Sequence, residues 1–184
     1  MSRVLFIRHA ETEMAGRYCG HSDPDLSSQG RVQVVRLSQL LAEEMLDTVY
    51  SSDLRRAAST AEAIAAGRDI PRVLRPALRE IHFGDWEGLS WEEVERSDPD
   101  YAQKWVKSYP NLPAPSGERF ENFERRVLAE VDHLMDRSPG PIAVVTHGGV
   151  LRVALRHLCG YSEARAWQET QQYCCVVRYE GESK

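Results

Sequence analysis

Two short apolar runs constrain this chain more than anything else in it. Val4-Leu5-Phe6-Ile7 leads straight into Arg8-His9, and Ile142-Ala143-Val144-Val145-Thr146 leads straight into His147. Unbroken aliphatic runs that stop at polar or small residues are the pattern of parallel strands buried on both faces. In an open α/β sheet the ligand site lies just beyond the carboxyl ends of such strands. Two histidines in that position, one beside an arginine and the other before Gly148-Gly149, are expected to meet across one pocket, although most of the chain lies between them.

The segments between these runs alternate in the manner of βαβ units. Ser27 can cap a helix running to about Glu44, with Val32, Val35, Leu37, Leu41 and Met45 on its apolar face. Thr48–Tyr50 reads as a short strand. Ser51-Ser52-Asp53 can cap a helix through Ala65, closed by Gly67, and Val73-Leu74 reads as a third strand. Between Glu80 and Gly140 the pattern changes. Ser90-Trp91-Glu92-Glu93 is a capping box, Pro99–Tyr109 a second helix, Pro110–Gly117 a proline-rich connection and Glu118–Arg137 a long amphipathic helix. Helices in succession with no strand between them do not extend a sheet, so a cap is expected. Gly148–Leu158 then forms a helix ending at Cys159-Gly160, and Tyr173–Tyr179 a last strand at a sheet edge. The expectation is one domain over 1–184: a three-layer α/β sandwich, its mostly parallel sheet covered by helices on both faces, with 81–140 a helical cap insertion over the strand C-termini.

The chain has 184 residues, 42% hydrophobic and 28% charged, enough for a full hydrophobic core in one domain. Its net charge of −5 argues against nucleic acid or an anionic membrane as partner. Affinity for phosphate would have to come from a local cluster of arginines. No stretch is long and apolar enough to span a bilayer, and Met1-Ser2-Arg3 runs directly into the first strand, so a cytoplasmic protein is expected. Cys19, Cys159, Cys174 and Cys175 have no metal-site spacing and read as reduced thiols. The exposed edge at Tyr173–Tyr179 is compatible with a monomer or a homodimer.

Five segments carry a resemblance over essentially the whole chain. Arg8-His9-Ala10-Glu11-Thr12 is similar to the Arg-His-Gly-Glu-Thr signature of the histidine phosphatase superfamily, whose fold is phosphoglycerate mutase-like. Ser51-Ser52-Asp53-Leu54-Arg55-Arg56 with Ala57-Ala58-Ser59-Thr60-Ala61 resembles the family's second arginine motif, with Arg56 at the phosphate-contacting position. Leu78-Arg79-Glu80, continuing to Gly88, resembles its acid-bearing loop. Pro115-Ser116-Gly117-Glu118 resembles its Pro-x-Gly-Glu cap segment, and Val145-Thr146-His147-Gly148-Gly149-Val150 its second-histidine motif. The resemblance implies a phosphohistidine intermediate on His9, Glu80 as acid, His147 as second catalytic histidine, and substrate contacts at Arg8, Arg56, Gly20 and Gly148.

Residue chemistry supports the same reading. Phosphoryl transfer needs an in-line nucleophile and positive groups around the equatorial oxygens. A histidine is largely neutral at pH 7, so His9 can attack without a separate base. Arg8 and Arg56 offer forked donors suited to phosphate oxygens. Arg55 competes with Arg56, but neighbours on a helix point about 100° apart and only one can face a pocket. His147 opens a helix, whose N-terminal amides and dipole favour an anion, and is expected to be protonated when phosphate is bound. Glu80 would protonate the leaving oxygen and then activate water. His9, His147 and Glu80 could in principle ligate zinc, but flanking arginines would repel a cation; no metal and no cofactor are expected. Among the aromatics, Trp86 in the acid loop is a candidate pocket residue, while Trp91 and Trp105 suit a cap core.

Two positions depart from the family pattern. Ala10 replaces glycine, which is tolerable only where φ stays negative. Ala15 stands where many members carry a phosphate-bonding asparagine. A mutase would need extra basic groups to retain a doubly phosphorylated intermediate, yet Ile81 follows Glu80. The expected activity is a phosphomonoester hydrolase acting on a small phosphorylated metabolite. The segment from Phe83 to Glu87, with Phe120, Phe123 and Arg126, most resembles the family branch that acts on α-ribazole 5′-phosphate. The alternatives are a cofactor-dependent phosphoglycerate mutase and a non-catalytic phospholigand-binding module.

Overall fold

A computed structural model describes residues 3–138 and 140–181. Its strands are β1 (Arg3–Arg8), β2 (Thr48–Ser51), β3 (Arg72–Leu74), β4 (Ile142–Thr146) and β5 (Val176–Glu180). Its helices are α1 (Ser28–Leu40), α2 (Arg55–Ala65), α3 (Trp91–Ser97), α4 (Pro99–Ser108), α5 (Phe120–Arg137), α6 (Gly148–Cys159) and α7 (Glu163–Thr170). The strands form one sheet in the order β3-β2-β4-β1-β5, parallel except where β5 runs against β1. The two apolar runs are therefore neighbours at the centre. In their register Arg8 lies opposite Thr146, so the next residue of each strand is a histidine at the same edge of the sheet. The His9 amide donates to the Thr146 carbonyl at 2.9 Å, extending the pairing one residue past the strands.

Alternate side chains of the central strands enter two cores. On one face Val4, Phe6, Ile142 and Val144 pack with Phe123, Val127, Val131 and Leu134 of α5 and with Leu151 and Leu155 of α6. On the other, Leu5, Ile7, Ala143 and Val145 pack with Leu37 and Leu41 and with Ala57, Ala61 and Ile64 of α2. Burial of a large aliphatic side chain stabilises by about 1.5–3 kcal/mol, so these layers hold the strand ends in place. The three-layer α/β class is the one expected from the sequence.

Four local expectations are corrected. First, α5 is not part of a cap over 81–140. Its apolar stripe lies on the sheet, and the separate small core above the strand ends joins Trp86, Val94, Ala102 and Ala114 with Tyr18, Phe83 and Trp105. Second, α1 turns a different face inward. Gly30, Leu37 and Leu41 are buried, whereas Val32, Val35 and Met45 are exposed. A Cβ on Gly30 would stand 2.1 Å from the Glu11 carbonyl, so the helix lies against the loop after β1 through its smallest residue. Third, α7 lies in a stretch that periodicity left unassigned; Ser162 caps it, accepting from the Arg165 amide. Fourth, β5 starts at Val176, and Tyr173–Cys175 form a turn in which Cys174 takes a positive φ.

Candidate active site

His9 and His147 follow β1 and β4, and their ring centroids are 5.0 Å apart in an edge-on arrangement. Both side chains are buried. His9 Nδ1 lies 2.7 Å from the Ala10 carbonyl, which can only accept, so this nitrogen carries the proton and Nε2 keeps its lone pair. The Ala10 amide donates to Thr60 Oγ1, which fastens this peptide to α2. Ala10 keeps a negative φ: among the described residues only Ser116 and Cys174 combine a side chain with positive φ. Burial and then the Arg56 charge, with Arg8 adding to it, hold the His9 pKa well below the ordinary histidine value. The ring is therefore neutral at physiological pH.

Arg56 is buried on the inner face of α2, and Arg55 faces solvent, where it pairs with Asp25 at 2.7 Å. Arg56 Nε donates to His147 Nδ1 at 3.2 Å. Its Nη groups donate to the Ser22, Cys19 and Gly20 carbonyls and draw the loop after β1 around the site. Because a guanidinium does not give up its proton, His147 Nδ1 must be an acceptor. His147 is thus neutral with its proton on Nε2, and burial followed by Arg56 and His9 lowers its pKa well below the usual range.

Arg8 is gripped from the far side of the site. Its Nη1 donates to the carbonyls of Thr170 and Gln171 at the C-terminal end of α7, and its guanidinium carbon lies 4.4 Å from the centre of the Tyr173 ring. Tyr173 also borders His9, with centroids 5.7 Å apart. Two buried polar atoms are left without a protein partner among the described residues: Arg8 Nε and His147 Nε2. An unmet buried donor costs about 1–3 kcal/mol. Both belong to residues beside His9, whose Nε2 keeps its lone pair.

Glu80 closes the fourth side. Its carboxylate accepts from the Ile81 amide at 3.0 Å and from the Gly149 amide at 2.8 Å. A Cβ at residue 149 would stand 2.1 Å from Glu80 Oε1, so glycine is what admits the carboxylate here. Gly149 thereby loses its amide to Glu80 rather than offering it to an anion; Gly148 lines the cavity itself. Gly20 is also not a free donor. Its amide donates to Glu87 at 3.0 Å and its carbonyl accepts from Arg56, so it shapes the loop and does not line the cavity. Ala15 is exposed and does not line the cavity.

Glu87 is the residue that sequence reasoning missed. Its carboxylate accepts four amides, those of Gly20, His21, Ser22 and Phe83, and ties the loop after β1 to the acid loop. Burial by itself would raise its pKa, but these N–H donors outweigh it and the net shift is downward. The signal available was a glutamate between Gly84 and Gly88, which sequence alone does not distinguish from a solvated loop carboxylate.

The site opens into a cavity of about 460 Å³ bounded by Arg8, His9, Glu80, Gly148, Arg152 and Tyr173. A second cavity of about 530 Å³ shares Tyr18, Glu80, Phe83, Arg152 and Trp167 with it. The walls of this second space combine aromatic side chains, among them Trp105, Tyr109, Phe120 and Phe123, with the charged Glu118, Arg152, Arg156 and Glu163. Trp86, expected near the substrate, is instead the centre of the cap core, in contact with Tyr18, Tyr101 and Trp105. No group of three or more His, Cys, Asp or Glu side chains suited to a metal ion occurs among the described residues. No described helix is long and apolar enough to cross a membrane.

The family model of the histidine phosphatase superfamily (branch 1) matches residues 4–184. The chain belongs to that superfamily. It is 33% identical over 178 residues to the adenosylcobalamin/alpha-ribazole phosphatase of Salmonella typhimurium, covering 94% of this chain and 87% of that one. It is 32% identical over 170 residues to phosphoserine phosphatase 1 of Hydrogenobacter thermophilus, covering 91% and 81%. Among solved structures, the alpha-ribazole phosphatase from Shigella flexneri superposes with a TM-score of 0.88 at 30% identity, over 96% of this chain and 89% of that one. Relatives that share about one third of their residues with this histidine phosphatase carry names with different substrates, so the walls of the second cavity are the guide to what it acts on.

Proposed function

We propose that this histidine phosphatase is a phosphomonoester hydrolase that works through a phosphohistidine on His9, without a metal ion, on a small metabolite with a bulky apolar leaving group such as α-ribazole 5′-phosphate. The observation that carries the reading is the pair of unmet buried donors, Arg8 Nε and His147 Nε2, beside the free Nε2 lone pair of His9. The phosphoryl oxygens satisfy those donors. His9 Nε2 attacks phosphorus, the P–N bond forms and the ester P–O bond breaks. Protonated Glu80 gives its proton to the departing oxygen. The resulting carboxylate then takes a proton from water, the water oxygen attacks phosphorus, the P–N bond breaks, and inorganic phosphate leaves with His9 neutral again. Positive charge for the transition state comes from Arg8 and Arg56, so the scheme requires no added cation.

The aromatic cavity supports the substrate class. It begins at Glu80, where the leaving oxygen would sit, and Phe83, Trp105, Tyr109 and Phe120 line it alongside the charged Glu118, Arg152, Arg156 and Glu163. A planar heterocycle on a ribose fits such walls by stacking and apolar burial. The net charge of −5 argues against nucleic acid as a partner, and the four free thiols suit a reducing cytoplasm. A monomer or a homodimer suits the scheme equally, since every group in it comes from one chain.

The deciding experiment measures phosphate release from α-ribazole 5′-phosphate, phosphoserine and p-nitrophenyl phosphate in the presence of EDTA, with His9→Ala as control. Expected are turnover of the first and third, a higher kcat/KM for α-ribazole 5′-phosphate than for phosphoserine, and an acid-labile phosphoryl label that His9→Ala abolishes. Rapid isomerisation of 3-phosphoglycerate with bisphosphoglycerate and little free phosphate would instead identify a mutase. Binding without turnover of any ester would identify a phospholigand-binding module.

A further inference from the structure

Three backbone carbonyls leading into Glu80 converge on one guanidinium. Arg126, on α5, donates through Nη1 to the Ala77 and Arg79 carbonyls at 2.9 and 2.7 Å, and through Nη2 to the Glu80 carbonyl at 2.9 Å. The remaining edge of the same guanidinium is held by Glu118 in a fork, Nε to Oε1 and Nη2 to Oε2, both at 2.8 Å. Glu118 Oε2 also accepts the His82 amide at 3.3 Å, and the Phe123 ring lies 4.9 Å beneath the guanidinium carbon. Both charged side chains are largely out of solvent, at 24% and 18% exposure, where a bidentate charge-assisted pair holds its geometry better than a surface one.

We propose that Arg126, locked by Glu118, is the positioning residue for Glu80. This rests on Glu80 being the general acid. A proton donor works only within hydrogen-bond reach of the leaving oxygen, and Glu80 stands in a loop with no helix or strand to fix it. Its carboxylate has two anchors, the Ile81 and Gly149 amides. The backbone that carries it is pinned elsewhere by Thr146 Oγ1 on the Leu78 carbonyl and by Asp53 on Arg79. At Glu80 itself the carbonyl meets Arg126 Nη2 and His21 Nε2. Arg126 thus transmits the position of α5, which is set by the sheet, to the acid, and lysine with one point charge cannot span the same three oxygens.

The test uses the dependence of rate on the leaving group. p-Nitrophenolate departs without much help from a proton, whereas a benzyl alkoxide needs one. The quantity compared is kcat/KM, which reports transfer to His9 and nothing after it. Arg126→Lys and Glu118→Gln are each expected to lose about tenfold or more on benzyl phosphate, with less than about threefold loss on p-nitrophenyl phosphate, as partial misplacement of an acid worth roughly 10²–10⁴-fold implies. Inhibition by inorganic phosphate should stay unchanged in both. Arg126→Lys keeps the charge, so a selective loss there assigns the effect to geometry and not to the field at His147. Equal losses on the two esters, or wild-type behaviour of Arg126→Lys, overturn the proposal. Glu118→Gln is the informative variant if Arg126→Lys does not fold. Glu80→Gln, measured alongside, keeps the failures apart: if it shows no leaving-group selectivity, the acid assignment itself fails; if it does and the other two do not, only the positioning role is wrong.

Discussion

His9 and His147 stand 5.0 Å apart in opposite tautomers. His9 gives its Nδ1 proton to the Ala10 carbonyl and exposes a lone pair at Nε2; His147 receives Arg56 Nε at Nδ1 and carries its proton at Nε2. Two residues of one type thereby present a free lone pair and a hydrogen-bond donor, and the difference lies wholly in what touches the other ring nitrogen.

That arrangement has a pH signature in stability. Both pKa values lie well below the ordinary histidine value, chiefly through burial and then through Arg56. Above about pH 6.5 these rings are neutral in the folded and unfolded chain alike, and they contribute no slope. Below it the unfolded chain binds protons that the folded one refuses, so stability falls as pH drops. The melting temperature should be level near neutrality and decline from about pH 6.5 downward. His9→Asn should flatten that decline; an unchanged slope would mean the ring titrates freely in the folded state.

In activity the same shift acts in the opposite direction to a free histidine. On the proposed mechanism the attacking ring stays neutral below pH 6.5, and kcat/KM for p-nitrophenyl phosphate should hold as pH falls through about 6.5. A break at that pH that persists after correction for substrate ionisation would contradict the burial argument.

Gly149→Ala places a methyl carbon 2.1 Å from Glu80 Oε1 and must displace the carboxylate. Activity on alkyl phosphates should fall by about tenfold to a hundredfold, within the range an acid contributes. Affinity for inorganic phosphate should change much less, because Arg8 and His147 are untouched. Steady-state kinetics with phosphate as competitive inhibitor separates the two effects.

Tyr173 holds Arg8 through its ring face. Tyr173→Phe keeps that face and should resemble the wild type. Tyr173→Leu removes it, and the inhibition constant for phosphate should weaken by about twofold to fivefold, the equivalent of a cation–π contact of ~0.5–1 kcal/mol. Matching behaviour of both variants would remove the ring from the argument.

Glu87→Gln replaces a four-fold acceptor by a group with one acceptor oxygen and two donors, set against amides that also donate. It should destabilise the fold by about 1–3 kcal/mol and loosen the site, since Gly20 and Ser22 carry the carbonyls that hold Arg56. Urea unfolding with an unchanged midpoint would show that those amides find other partners.

Much of this protein could be read from one dimension. The runs at Val4–Ile7 and Ile142–Val145, the helix formers between them, and the motifs around His9, Arg56, Glu80 and His147 are local patterns, and local patterns carry secondary structure and residue chemistry. They led to the sheet, its layers and the residues that meet at its edge. What they could not carry is who touches whom across loops. That α5 lies on the sheet and not in the cap, that α7 ends on Arg8, that Glu87 and not a glycine amide organises the phosphate loop, and that Arg56 selects the tautomer of His147 all depend on partners tens of residues away. Those contacts form only when packing brings the segments together, and hydrogen-bond direction and burial are properties of that packing rather than of any stretch of chain.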